Sequence, residues 1–121
     1  MPHARRKLGD MGEELAARYL VTHGYVVLAR NYRCASGEID LVCRAGETLV
    51  FVEVKTRRGG AYGIPEEAVT ARKLARLADA GQHYLQGHPS EADWRIDVVA
   101  IELDPSGKLI EIRLIAGAEA G

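Results

Sequence analysis

A chain of 121 residues that is 47% apolar has material for one ordinary core, and a single domain spanning 1–121 is expected. No run approaches the ~18 apolar residues of a membrane span, and Met1, Pro2 and His3 followed by Arg5, Arg6 and Lys7 lead into an amphipathic pattern instead of a secretory apolar run, so a cytoplasmic protein with no membrane partner is expected. The net charge of -1 excludes a uniformly basic coat for nucleic acid, yet residues 57–76 hold five basic residues (Arg57, Arg58, Arg72, Lys73, Arg76) against two acidic ones, enough for a local phosphate-binding patch.

From about Asp10 to His23, Met11, Leu15, Ala16, Tyr19 and Leu20 recur at helical spacing, with Asp10 as N-cap and Gly24 as stop. Three runs of strand character follow, Tyr25 to Arg33, Glu38 to Arg44 and Leu49 to Arg57, separated by Ser36-Gly37 and Gly46-Glu47; they predict an antiparallel meander. A loop with Gly59, Gly60, Tyr62 and Gly63 leads to Pro65, an apt first helical residue, and a second helix is predicted from Glu66 to Gln86 with Leu74, Leu77, Ala78, Gly81 and Leu85 as its buried stripe. The loop lacks the Lys-Ser/Thr ending of a phosphate-cradling nucleotide site, which argues against nucleotide hydrolysis. Arg95 to Leu103 is apolar on both faces, as in a covered strand, whereas Leu109 to Ile115 alternates and suits a sheet edge that could support a homodimer. Ala116 to Gly121 reads as a frayed tail. Cys34 and Cys43 lack CxxC spacing and the four histidines are scattered, so no zinc site is indicated, and Cys43 reads as a core residue.

The informative step is the pairing across Gly46-Glu47. A two-residue loop pairs residues whose numbers sum to 93, placing Asp40 opposite Glu53 and Glu38 opposite Lys55 on one face. Opposed β positions are roughly 5 Å apart, so Asp40 and Glu53 would repel unless something compensates. A magnesium-like ion does this through oxygen ligands; an ion network with Lys55 and nearby arginines is the alternative. The other face, Ile39, Leu41, Cys43, Val50, Val52 and Val54, is apolar and should meet the core. On the first helix Glu13 lies at the margin of the apolar stripe and can reach the hairpin, while Glu14 points outward beside Arg18. Asp10 and Glu13 also have the spacing of a capping box, which would give Glu13 a purely local role. Asp97 is expected to pair with Arg95 outside the site.

The run Gly9-Asp10-Met11-Gly12-Glu13 with Ala16 and Leu20, then Asn31-Tyr32-Arg33, Gly37-Glu38-Ile39-Asp40-Leu41-Val42 and Phe51-Val52-Glu53-Val54-Lys55-Thr56-Arg57, resembles the YraN family of bacterial proteins. The resemblance continues through Pro65, Glu67, Ala68, Lys73 and Arg95-Ile96-Asp97-Val98-Val99, with Ile96 departing from the aromatic residue expected there. Such proteins look like members of the restriction-endonuclease-like superfamily and are similar to archaeal Holliday-junction resolvases. The resemblance implies an α/β fold with an αβββαβ core, its mixed sheet flanked by helices. It also implies that Asp40, Glu53 and the Val54 carbonyl bind Mg2+ or Mn2+, that Lys55 helps to activate water, and that Glu13 contributes a carboxylate. Glu38 could bind the metal through water, and Arg57, Arg58, Arg72 and Lys73 are candidates for DNA contact. The expected function is metal-dependent DNA cleavage, with branched or recombination-intermediate DNA as one candidate substrate. The rival expectation is a non-catalytic DNA-binding or protein-assembly module on the same fold.

Overall fold

A computed structural model describes residues 2–59 and 63–118. The elements run α1 (Pro2–Thr22), β1 (Tyr25–Cys34), β2 (Gly37–Ala45), β3 (Thr48–Arg58), a short 3-10 turn (Pro65–Ala68), α2 (Ala71–Gly87), β4 (Trp94–Leu103) and β5 (Leu109–Ile115). The strands lie in that order in one sheet. β3 and β4 are parallel, joined by the crossover through α2, and the other neighbours are antiparallel. This is the expected mixed sheet flanked by helices, a restriction-endonuclease-like core.

Each helix covers one face. Ala16, Ala17 and Leu20 of α1 pack on Leu41, Cys43, Val50, Val52, Val99 and Ile101. Leu74, Leu77, Ala80 and Tyr84 of α2 pack on Ile39, Val42, Phe51 and Ile96. β4 is buried from Ile96 to Ile101, which explains its continuous apolar run. Glycine sets the depth of both helices: a Cβ on Gly81 would lie 2.5 Å from the Phe51 ring, and one on Gly12 would lie 1.9 Å from Thr56 Oγ1. The second contact brings the middle of α1 onto β3, next to Glu13.

Several expectations need correction. The first helix begins at Pro2, eight positions before the predicted N-cap Asp10. Ala4 to Leu8 are mostly good helix formers, Pro2 suits a first turn, and Leu8 packs against the core. Asp10 is therefore inside the helix, and Glu13 has no capping role. The predicted Glu66–Gln86 helix is two pieces: the chain is extended at Val69, and Thr70 caps α2 by accepting a hydrogen bond from Lys73 N at 3.2 Å. Ala80 and Tyr84 are buried in place of Ala78 and Leu85, which are only partly buried. Residues 117 and 118 are tied down where fraying was expected: Gly117 N donates to Asp97 Oδ1 and Ala118 N to Ile96 O. Asp97, fully buried, also accepts from Arg95 and from the Tyr25 hydroxyl, so its pairing with Arg95 is as expected. Gly60, Tyr62 and residues 119–121 lie outside the described residues.

Candidate functional site

The hairpin register is the expected one from Ala45↔Thr48 to Leu41↔Val52, every pair summing to 93. There the ladder stops. Val54 N–H donates to the Asp40 carboxylate at 2.8 Å, so a side chain takes a place that strand backbone would have filled. Across β2, the partner strand contorts at the same level: Asn31 has φ +53°, a left-handed conformation that asparagine tolerates better than most residues. Tyr32 and Ile39 beyond this point pack toward α2, while Tyr25, Leu41 and Cys43 before it pack toward α1. Ile39 therefore does not share a face with Leu41, contrary to the simple alternation expected. The kink presents Asp40 at a gap between β2 and β3 that both helices flank.

Glu13, Glu38 and Asp40 converge there, each offering a carboxylate oxygen, with these atoms within 4.8 Å of one another. Asn31 holds the first two. With its amide nitrogen turned to the acids, it donates to Glu38 Oε1 at 3.0 Å and to both Glu13 oxygens at 3.1 Å. Glu38 pairs in register with Arg33, whose Nε is 3.6 Å from its carboxylate; it is not opposite Lys55, because the β2–β3 ladder ends before reaching it. Glu14 pairs outward with Arg18 and Arg30, as its helical position requires. Asn31 is the site residue that sequence reasoning missed. Its signal was an asparagine inside a strand-like run, a residue disfavoured in regular strands.

Glu53 comes from the face occupied by Phe51 and reaches the gap from the α2 side. It is 6% exposed, its Oε1 lies 3.4 Å from Lys73 Nζ, and its Oε2 is buried with no hydrogen-bond partner. Burial first, then repulsion from Asp40, pushes its pKa up to about 7. Glu13 is likewise raised to about 7, by burial and then by Asp40. Asp40 is raised by its own burial, an effect opposed by the Val54 hydrogen bond. The protein alone thus leaves its acids poorly compensated, and an unpartnered carboxylate oxygen faces the same region. An all-oxygen donor set of this kind suits a hard cation of the magnesium, manganese or calcium class.

A cavity of about 470 Å³ opens between the first half of α1, Asp40 and the β3 segment 53–57, and Val54, Lys55 and Arg57 help to line it. Arg57 contributes a buried Nε with no partner. The remaining candidates for DNA contact separate: Lys73 is engaged with Glu53, Arg58 Nε donates to Pro105 O at 2.9 Å beside the β4–β5 turn, and Arg72 is exposed on α2.

Comparison with known proteins places this geometry in a family. The profile of "Uncharacterised protein family UPF0102" matches residues 12–101, which include every acid of the cluster. A UPF0102 protein of Roseiflexus castenholzii is 49% identical over 117 residues, covering 95% of this chain and 94% of that protein. One from Symbiobacterium thermophilum is 52% identical over 114 residues, covering 93% and 96%. One from Moorella thermoacetica is 42% identical over 119 residues, covering 98% and 99%.

Proposed function

The chain belongs to the uncharacterised protein family UPF0102, the YraN family, and from that membership and its acidic cluster we propose that it is a magnesium- or manganese-dependent endonuclease acting on branched DNA. The observation that carries the proposal is the convergence of Glu13, Glu38 and Asp40 beside Glu53, whose buried Oε2 has no partner. Asp40, Glu53 and the Val54 carbonyl would hold the metal, with Glu13 completing the set and Glu38 acting directly or through water. When bound, a divalent ion supplies Lewis-acid polarisation of a phosphate oxygen and makes coordinated water a stronger nucleophile.

The chain's own residues supply the rest. The Val54 N–H fixes the Asp40 carboxylate, and the Asn31 amide fixes Glu13 relative to Glu38, so the acids are preorganised. Lys55, lining the cavity, orients the attacking water or offsets charge developing on the phosphate. Arg57 also lines the cavity, where its guanidinium would hold a phosphate of the substrate strand. Direct hydrolysis by a coordinated water needs no covalent nucleophile.

The test is a panel of linear, nicked and four-way DNA incubated with Mg2+ or Mn2+, with Asp40→Ala protein prepared identically. Metal-dependent cleavage of the four-way form by the wild type alone is expected. Binding without cleavage of any form would instead support the non-catalytic DNA-binding module.

A further inference from the structure

A second cleft adjoins the acidic site. It has a volume of about 350 Å³ and lies between the β1–β2 turn (Ala35, Ser36, Gly37) and the first half of α2 (Lys73, Arg76, Leu77). Two residues make it continuous with the metal-binding region. Glu38 lines the cleft and belongs to the acidic triad, and Lys73 lines the cleft while its ammonium contacts Glu53.

The charges in this cleft are ordered. Its acid, Glu38, stands at the end nearest the triad, and Lys73 is engaged with Glu53. Arg76 is exposed, and among the described residues no carboxylate pairs with it. The next residue, Leu77, is buried against the sheet and fixes the helix at this point, so the Arg76 stem starts from a rigid base. The opposite wall is a turn of small residues, which lets a polymer backbone approach closely. Among the described residues no aromatic ring lines the cleft, so these offer no surface on which a base could stack.

We infer that this cleft carries the DNA backbone flanking the carboxylates, with Arg76 as a phosphate contact that reads charge and position without reading sequence; the inference rests on the nuclease reading above. A contact of this kind positions the strand and contributes a salt-dependent share of affinity.

The experiment measures binding of a fluorescent four-way junction to the full chain in EDTA, over about 50 to 200 mM salt. Arg76→Ala should bind roughly fivefold more weakly, the scale of one exposed charge pair. Its slope of log affinity against log salt should shrink by about one. Arg76→Lys should retain the slope, and Arg18→Ala, on the outer side of α1, should match the wild type. Single neutral methylphosphonates walked along the strand supply the local readout: one position should weaken the wild type and leave Arg76→Ala unaffected. Equal affinity and slope for wild type and Arg76→Ala, or no wild-type binding even at low salt, would overturn the inference. Cleavage is not read here, so the two claims separate. An inactive protein with the Arg76-dependent slope refutes the endonuclease alone, and an active one indifferent to Arg76 refutes the cleft alone.

Discussion

Glu53→Gln should stabilise the metal-free protein, by a margin that grows as pH rises from about 4.5 to about 7 and then holds. In the fold the Glu53 carboxyl is pushed up to about 7 from an ordinary 4.5, chiefly by burial and then by Asp40. A group whose pKa is raised on folding gives the fold its full support below the unfolded pKa, here about 4.5, and that support falls away until the pH has passed the folded value near 7. Between about pH 5 and pH 8 the wild type should therefore lose on the order of 2 to 3 kcal/mol through this residue, part of it shared with Asp40. Glutamine keeps the shape and a hydrogen-bonding end without the charge. For a chain of 121 residues each kcal/mol moves the melting temperature by roughly 4 °C. The variant should thus melt about 10 °C above the wild type at pH 8 and close to it at pH 5. Thermal melts in EDTA at both pH values check this. Adding millimolar Mg2+ at pH 8 should reverse the order, because the wild type gains a bound ion that the variant holds less well. A variant less stable than the wild type at pH 8 in EDTA would show that Glu53 is a net stabilising ion-pair partner of Lys73, and the argument from uncompensated charge would fail.

Lys55→Ala should leave metal affinity nearly unchanged and slow single-turnover cleavage about 100-fold, the scale of one lost transition-state contact; an unchanged rate removes Lys55 from the chemistry. Gly12→Ala should destabilise the domain by about 1 to 3 kcal/mol because its Cβ would meet Thr56 Oγ1, and Thr56→Ala in the same chain should recover much of that loss in denaturant titrations. Asp97→Ala should cost about 3 kcal/mol or more without altering metal affinity, since it strands Arg95 and Tyr25 at a buried position that shares no hydrogen bond or ion pair with the acidic cluster. Sedimentation equilibrium should show a dimer formed through the β5 edge; a mass independent of concentration at the monomer value refutes it.

Periodicity and turn chemistry made the strands, their order and the hairpin register legible, because a two-residue loop at Gly46-Glu47 admits few alternatives. The continuous apolar run of β4 and the alternation of β5 pointed to a covered strand and an edge through the same period-two logic. The kink at Asn31 and Asp40 was not legible. Strand alternation assumes a regular ladder, and nothing local announces that Asp40 will accept the Val54 N–H. That one irregularity moved Ile39 to the other face and brought Glu38 toward Glu13 instead of Lys55. Glu13 illustrates a different limit: its capping-box spacing was genuine, but helix formers upstream carried α1 past Asp10 and left the carboxylate free to face the sheet. Thr70 hid the start of α2 because Pro65 supplied an equally good start signal five residues earlier.

The most direct measurement is the single-turnover rate of four-way-junction cleavage as Mg2+ is titrated at pH 8, run beside a thermal-shift titration of the same wild-type preparation and of Asp40→Ala. The wild-type rate should saturate over the same Mg2+ range that stabilises the fold, with both responses lost in Asp40→Ala. Cleavage that persists in Asp40→Ala, or a wild type that binds the ion and the junction yet leaves the DNA intact, would contradict this expectation.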